Sequence, residues 1–363
     1  MGDAAPPSRL PLHLASAYTV LVLYASLHPF SGWSDSGAPL FDYLTAPWPR
    51  YVTAFDLTVN VLAYLPLGFL WVPALQRGAA PALPAFAAAL LCVAVSFALE
   101  TTQNYLPSRV PSNLDLGCNG IGGAIGALCG ARWGSTLLSG GRLHGLRVAH
   151  VIPGGNGDAG LVLIGLWLLT QLNPETLLFG NGNLRQLLDI EDAFDFEPEQ
   201  FSRIEAAIAA ANTLAVGLFA SCLTRVHRHH RREALAVVGA LLAVALLVHT
   251  FAAALLDSPE RALHWLTSGN AGGIGIGALF LLACLPLPAA WRRAVAGSAL
   301  LLSTVLVNLA PENPYLGEAV YAWHHGHFLN FNGLTRLASL LWPFLALPWL
   351  MIRERDPWTA STT

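Results

Sequence analysis

Residues 99–130 read LETTQNYLPSRVPSNLDLGCNGIGGAIGALCG, and the rest of the chain is best interpreted outward from them. A carboxylate, an amide and a guanidinium come first, at Glu100, Gln103 and Arg109, and a second carboxylate follows at Asp115. A long apolar run precedes this stretch and a glycine-rich apolar run ends it, so the polar groups lie at the ends of two hydrophobic helices. Because ionisable groups in such places are costly, we expect them to have a function.

The composition of the chain is that of a membrane protein. Of its 363 residues, 54% are hydrophobic and 11% are charged, whereas a soluble domain has roughly 25% charged residues. The mean hydropathy is +0.52, and apolar runs long enough to cross a bilayer recur along the chain. We therefore predict an all-α fold, a polytopic bundle of about ten transmembrane helices. The net charge of −3 gives no indication of nucleic-acid binding.

The predicted spans cover residues 11–29, 56–75, 80–100, 115–135, 158–178, 205–224, 234–256, 268–288, 294–311 and 335–352. All 19 basic residues are arginines; thirteen fall at the termini and in the even-numbered loops, and six fall in the odd-numbered loops. Since basic residues favour the cytoplasmic side, both termini should be cytoplasmic and the 100–115 loop should face outside. The predicted location is the inner (cytoplasmic) membrane, with multiple passes.

A weak internal repeat is visible. The run Asn119-Gly-Ile-Gly-Gly-Ala-Ile-Gly126 is similar to Asn270-Ala-Gly-Gly-Ile-Gly-Ile-Gly277, and Asp56 and Glu205 each precede a glycine by twelve residues. We interpret spans 1–4 and 5–8 as parallel repeats, of which the second has lost most of the polar set. The predicted domains are a four-helix domain at 1–140, a degenerate repeat at 141–290, and two further helices with a cytoplasmic tail at 291–363.

Polar residues gather at one end of spans two, three and four, in pairs spaced to share a helix face. The ligand-binding candidates are Asp56, Asn60, Glu100, Gln103, Arg109, Asp115 and Asn119. Each has a plainer interpretation by itself, since Asp56 and Asp115 suit the start of a helix and Arg109 suits a loop counter-ion. Together they predict one recess in which Arg109 bonds at least one of the three carboxylates.

Small residues should bring these spans into close contact. Pro66 and Gly68 interrupt span two, and span four carries glycines at 122, 126 and 130. A stripe of glycines allows two helix backbones to approach closely, so we assign these residues to helix packing.

In this order, the motifs resemble the VanZ-like family over residues about 20–135. The matching features are Asp56-x3-Asn60, Leu65-Pro-Leu-Gly68-Phe, Glu100-x2-Gln103, Pro107-x-Arg109 and Asp115-x3-Asn119. One departure is Ser112, where such proteins often carry an acidic residue. The resemblance implies an integral membrane domain linked to low-level resistance to the glycopeptide teicoplanin, and it supplies no biochemical mechanism.

Three functions fit the polar residues. The first is binding of a lipid-linked or acylated glycan, or a lipoglycopeptide, at the outer leaflet among membrane lipids, with Arg109 on a phosphate or carboxylate. The second is an intramembrane enzyme acting on a polyprenyl-phosphate or lipid-linked substrate, with Glu100 and Asp115 as acid and base. The third is a transporter or flippase. We favour the first, because the sequence has no nucleophile motif and the ionisable groups collect at one face.

No cofactor and no metal site is predicted. His324, His325 and His327 lie close together, but no carboxylate or cysteine completes a ligand set at helical spacing. The five cysteines all lie in apolar runs, which indicates small buried side chains rather than disulfides.

Overall fold

The computed structural model describes residues 9–35, 37, 39–48, 53–76, 78, 80–173, 176–188, 190, 195–224, 231–256, 259–311 and 329–352. These residues form helices and turns and no strand, which confirms the all-α prediction. The three histidines at 324, 325 and 327 lie outside the described residues. All five cysteines are free thiols.

The first of two compact units comprises the described residues within Met1–Val162 and His325–Leu334. It contains α1 (Leu10–Leu27), α2 (Ala54–Leu75), α3 (Ala82–Gln103), α4 (Asn113–Cys129) and α5 (Gly141–His150). A π-helix, Gly130–Ser139, continues α4, and the first half of α6 (Gly154–Thr170) also belongs to this unit.

The second unit comprises the described residues within Leu163–His324 and Thr335–Thr363. It contains α7 (Arg185–Leu188), α8 (Pro198–Leu223), α9 (Arg231–Leu256), α10 (Ser268–Cys284) and α11 (Ala289–Leu309), with most of α12 (Leu329–Met351). The central helix is α8, which is buried along most of its length. The predicted division at 140 and 290 stays a prediction.

Seven of the described helices are long and apolar enough to cross a membrane, namely α1, α2, α3, α8, α9, α11 and α12. The protein is therefore a multi-pass integral membrane protein. The other predicted spans, 115–135, 158–178 and 268–288, fall on α4, α6 and α10, which have 17 residues each. A helix of 17 residues is about 26 Å long. These three helices end before the apolar sequence does. The predicted number of ten spans stays a prediction.

Glycines bring α2 and α4 into direct backbone contact. A Cβ atom on Gly122 would overlap the carbonyl oxygen of Val61, and one on Gly126 would overlap that of Leu65. Gly68 of α2 makes the reciprocal approach, since its Cβ would overlap the carbonyl oxygen of Gly123. The two helices thus pack without an intervening layer of side chains.

The same contact continues to the end of α4 and past Pro66. A Cβ on Gly130 would lie 2.6 Å from the carbonyl oxygen of Phe69. Pro66 and Pro73 both lie inside α2, which remains helical from Ala54 to Leu75. The glycine contacts therefore extend over most of α2.

Within the second unit, α10 contacts α8 through glycines in a similar way. A Cβ on Gly273 would overlap the carbonyl oxygen of Ala206, and one on Gly277 would lie 2.6 Å from that of Ala210. If the two glycine helices are aligned by these contacts, Glu205 corresponds to Asn60 rather than to Asp56. The internal repeat itself stays a prediction.

Candidate functional site

Glu100 joins the end of α3 to the beginning of α4. It lies in the last turn of α3 with only 4% of its surface exposed. Its Oε2 accepts a hydrogen bond of 2.9 Å from the backbone N–H of Ser112. The Ser112 hydroxyl in turn accepts from the backbone N–H of Leu114 and caps α4. The carboxylate therefore fixes the N-terminus of the glycine helix.

Asn60 and Asp115 meet across α2 and α4. The Asn60 amide nitrogen donates to Asp115 Oδ1 at 2.7 Å. Asp56, one turn earlier on α2, instead belongs to the cap of its own helix. Its Oδ2 accepts from the backbone N–H of Thr53 at 3.1 Å and from the Thr53 hydroxyl at 2.7 Å. Asp56 thus makes the contacts of a residue that caps the start of its own helix. Asp115, in contrast, has a partner on another helix.

A second layer of buried polar groups lies beneath these pairs. The Asn119 amide nitrogen donates to the Ser96 hydroxyl at 3.0 Å, whereas Asn119 Oδ1 has no partner in the described part of the chain. The Tyr64 hydroxyl lies beside Ser96 and Glu100 but makes no hydrogen bond of ordinary geometry with the described residues. Leaving such an atom unsatisfied costs about 1–3 kcal/mol.

Sequence reasoning missed Tyr64 and Ser96. Each stands in an apolar run, where a single tyrosine or serine is normally part of the core. The available signal was their spacing, since Tyr64 follows Asn60 by four residues and Ser96 precedes Glu100 by four. Each therefore shares a helix face with a residue that the sequence did single out.

Arg109 and Gln103 both contact the end of α1. The Arg109 guanidinium donates from Nε and Nη2 to the carbonyl oxygen of His28, at 3.2 and 2.5 Å. The Gln103 amide nitrogen donates to the carbonyl oxygen of Ser26 at 2.9 Å. Burial lowers the pKa of Arg109 from its ordinary value, although an arginine stays charged in a protein. The predicted ion pair between Arg109 and a carboxylate stays a prediction.

The loop before α2 covers the polar end of α3. The Tyr43 hydroxyl lies 3.1 Å from the Thr101 hydroxyl, and the Phe41 ring stacks on Phe97 with 5.8 Å between centroids. Asn113 at the start of α4 donates to the carbonyl oxygen of Ala46 at 2.7 Å. These contacts enclose the polar groups from the loop side.

The opposite side of the polar cluster is closed by apolar side chains. Leu67 and Cys92 lie beneath Tyr64, and a further cluster of Val72, Ala88 and Ala127 follows. The polar groups at this end of the helices therefore border directly on the apolar core of the domain.

Comparison with known families identifies one match. The model of the VanZ/LLP1 family matches residues 8–133. This region is a VanZ-like domain. It contains α1 to α4, and all seven candidate residues lie within it. No curated protein and no solved structure matches the chain.

Proposed function

We propose that the VanZ-like domain binds the polar head of a lipid-linked or acylated glycan at the outer leaflet. The observation that supports this most is a pair of buried atoms, Asn119 Oδ1 and the Tyr64 hydroxyl, that have no hydrogen-bond partner among the described residues and border on the apolar core. We place the binding recess at these atoms. Sugar hydroxyls both donate and accept hydrogen bonds, so one headgroup satisfies an amide oxygen and a phenol together.

The surroundings of the recess also suit an amphiphile. On α3, Phe86, Leu90 and Val93 expose 68%, 58% and 41% of their surfaces and form an apolar strip that leads towards Glu100. An acyl or polyprenyl chain packs along such a strip while its head enters the recess. A lipoglycopeptide has the same two parts, which provides the proposed link to glycopeptide resistance.

Binding agrees better with the contacts than catalysis or transport through this domain. Glu100 accepts a hydrogen bond from a backbone N–H, and Asp115 accepts one from Asn60. Each carboxylate therefore has a contact that joins two parts of the fold, which indicates a structural role. The cluster of Val72, Ala88 and Ala127 further along the helices is apolar, which argues against a polar path through this domain. An acid–base reaction on a lipid-linked substrate remains the second candidate, because Glu100 and Asp115 are near enough to interact electrostatically.

Replacing Asn119 with leucine tests the proposed binding. Asn119→Leu removes the unsatisfied acceptor and the bond to Ser96 while nearly keeping the side-chain volume. We expect the amount of co-purified glycolipid to fall about 10-fold or more, as the loss of one or two buried hydrogen bonds implies. Native mass spectrometry of the purified protein measures bound lipid and shows whether the variant is folded.

Ser108→Ala provides the matched control, because Ser108 is an exposed residue of the same α3–α4 connection. It should retain all of the bound lipid. Unchanged lipid content in a folded Asn119→Leu protein would refute binding at this recess. Turnover of an added lipid-linked glycan that disappears in Glu100→Gln would instead favour the enzyme.

Cysteine labelling tests the proposed orientation, with both termini cytoplasmic. Single cysteines at Ser108 and at Gly145 are placed in a chain without its five native cysteines. Gly145 suits the inner position because a Cβ there meets no atom within 4 Å, whereas Gly141 has a φ of +76° and faces the carbonyl oxygen of Thr136. An impermeant reagent added to intact cells should label position 108 and spare position 145; the reverse pattern would contradict the arginine-based topology.

A further inference from the structure

Positive and negative residues are separated along the sequence of the first unit. Between residues 9 and 158 the sequence contains seven arginines and six carboxylates. Five of the carboxylates fall in the segments that lead into α2, end α3 and begin α4. The segments that begin α1, join α2 to α3 and follow α4 hold five arginines and one carboxylate, namely Arg9, Arg77, Arg132, Arg142, Arg147 and Asp158.

The chain after α4 contributes most of this positive charge. We call residues 130–150 the basic segment; it comprises the π-helix and α5. It contains three arginines and two histidines and no carboxylate. The next carboxylate, Asp158, is fully buried and paired with Arg147. Arg132 is exposed and forms no ion pair with a described residue, so its charge faces outward.

Contacts with α2 place the basic segment where a membrane span ends. Helix α2 is long and apolar enough to cross a bilayer, and it ends at Leu75. A Cβ on Gly130 would lie 2.6 Å from the carbonyl oxygen of Phe69, and one on Gly134 would lie 3.2 Å from Cδ of Pro73. The π-helix therefore begins beside the last two turns of α2. Helix α5 follows it and, with 10 residues, is too short to cross the membrane.

Apolar side chains of the basic segment are exposed beside its charges. Trp133 and Leu137 of the π-helix expose 50% and 40% of their surfaces, and Leu146 and Val148 of α5 expose 57% and 46%. The guanidinium of Arg132 lies over the Trp133 ring, 5.9 Å from its centroid. Helices that present apolar and cationic side chains together lie in the boundary between headgroups and acyl chains, where tryptophan is also favoured.

Charge complementarity identifies what covers this surface. Water hydrates Arg132 but leaves the exposed apolar side chains uncovered. A second copy of the chain docked through the same surface would place arginine against arginine, which is repulsive. An anionic phospholipid supplies both requirements, because its phosphate accepts hydrogen bonds from a guanidinium and its acyl chain covers apolar side chains.

We propose that the basic segment is a docking surface for anionic phospholipid, with Arg132 on the headgroup and Trp133 and Leu146 at the level of the first acyl carbons. The surface follows the end of α4, whereas the binding recess involves the first half of that helix. It therefore does not depend on the function proposed for the recess or on the predicted orientation. Docking here fixes the depth at which the end of α4 lies in the bilayer.

Quenching of a local fluorophore by brominated lipids tests the surface. The full chain without its five native cysteines carries the fluorophore at Gly145→Cys, where a Cβ meets no atom within 4 Å. It is placed in nanodiscs of phosphatidylcholine and phosphatidylglycerol in equal amounts, with only one of the two lipids brominated on its acyl chains. The ratio of the two quenching efficiencies should give a local preference for phosphatidylglycerol of about fivefold or more. Arg132→Gln should lower this preference several-fold.

Arg203→Gln provides the matched control, because it removes an exposed arginine from the second unit. The preference at position 145 should then be unchanged. Equal quenching by the two lipids would overturn the proposal, and so would the absence of quenching by either, since the surface would then face water or a protein. An undiminished preference in folded Arg132→Gln would also overturn it. If that variant does not fold, raising the salt to about 1 M decides the question, since screening should remove the preference.

Discussion

Gly126→Ala is expected to destabilise the protein by about 3 kcal/mol, the upper part of the range for overpacked cores. The added methyl group would overlap the carbonyl oxygen of Leu65, which is backbone and cannot rotate away. Helices α2 and α4 must then separate, which pulls Asn60 away from Asp115. The free energy of unfolding in detergent, measured with a denaturant series, checks the magnitude.

Gly117→Ala is the matched control on the same helix. A Cβ at Gly117 meets nothing within 4 Å, so the change should be neutral or stabilise α4 by up to about 1 kcal/mol through helix propensity. Equal stabilities of the two alanine variants would contradict the close contact of α2 and α4. A loss confined to Gly126→Ala would support it.

Asp158→Asn is expected to have an effect of similar or larger size, about 3–5 kcal/mol. Asp158 of α6 is fully buried, forms an ion pair through Oδ1 with Arg147 and accepts the backbone N–H of Arg9 at 2.9 Å through Oδ2. Neutralising the carboxylate leaves the guanidinium of Arg147, whose side chain is 13% exposed, in a poorly hydrated place without its counter-charge. Thermal unfolding combined with folded yield measures the loss.

The exposed ion pair on α8 provides the comparison for this variant. Glu199 and Arg203 are 3.7 Å apart with 85% and 82% of their side chains exposed. Glu199→Gln should therefore change the unfolding free energy by no more than about 0.5 kcal/mol. If Asp158→Asn is as mild as Glu199→Gln, the ion pair of Arg147 contributes nothing to the stability of the first unit.

The helical fold and the polar end of α2, α3 and α4 were predictable from local patterns. Composition and apolar runs indicate membrane helices, and spacings of three and four residues place Asn60, Glu100 and Asp115 on definite faces. Helix ends were less predictable, because α4, α6 and α10 stop before their apolar sequence does. Local hydrophobicity does not register where a backbone leaves the α conformation.

Contacts between residues far apart in the chain could not be predicted from local sequence patterns. Economy of charge led us to expect a carboxylate partner for Arg109, and that ion pair stays a prediction. What the expectation did not include is the bond from the guanidinium to the carbonyl oxygen of His28, 81 positions earlier in the chain. A main-chain acceptor has no signature in the sequence. Likewise, the sequence used Arg147 only to predict the topology. Its ion pair with the buried Asp158 depends on how the chain between α5 and α6 folds back.

The direct contact of α2 with α4 has a mechanical consequence. Side chains between two helices act as a deformable layer, since rotamers rearrange when the helices slide. Gly122, Gly126 and Gly68 leave no such layer, so α2 and α4 have little room to slide against each other. We therefore expect a displacement at the Asn60–Asp115 end to shift both helices together, as far as the π-helix at Gly130–Ser139 that continues α4.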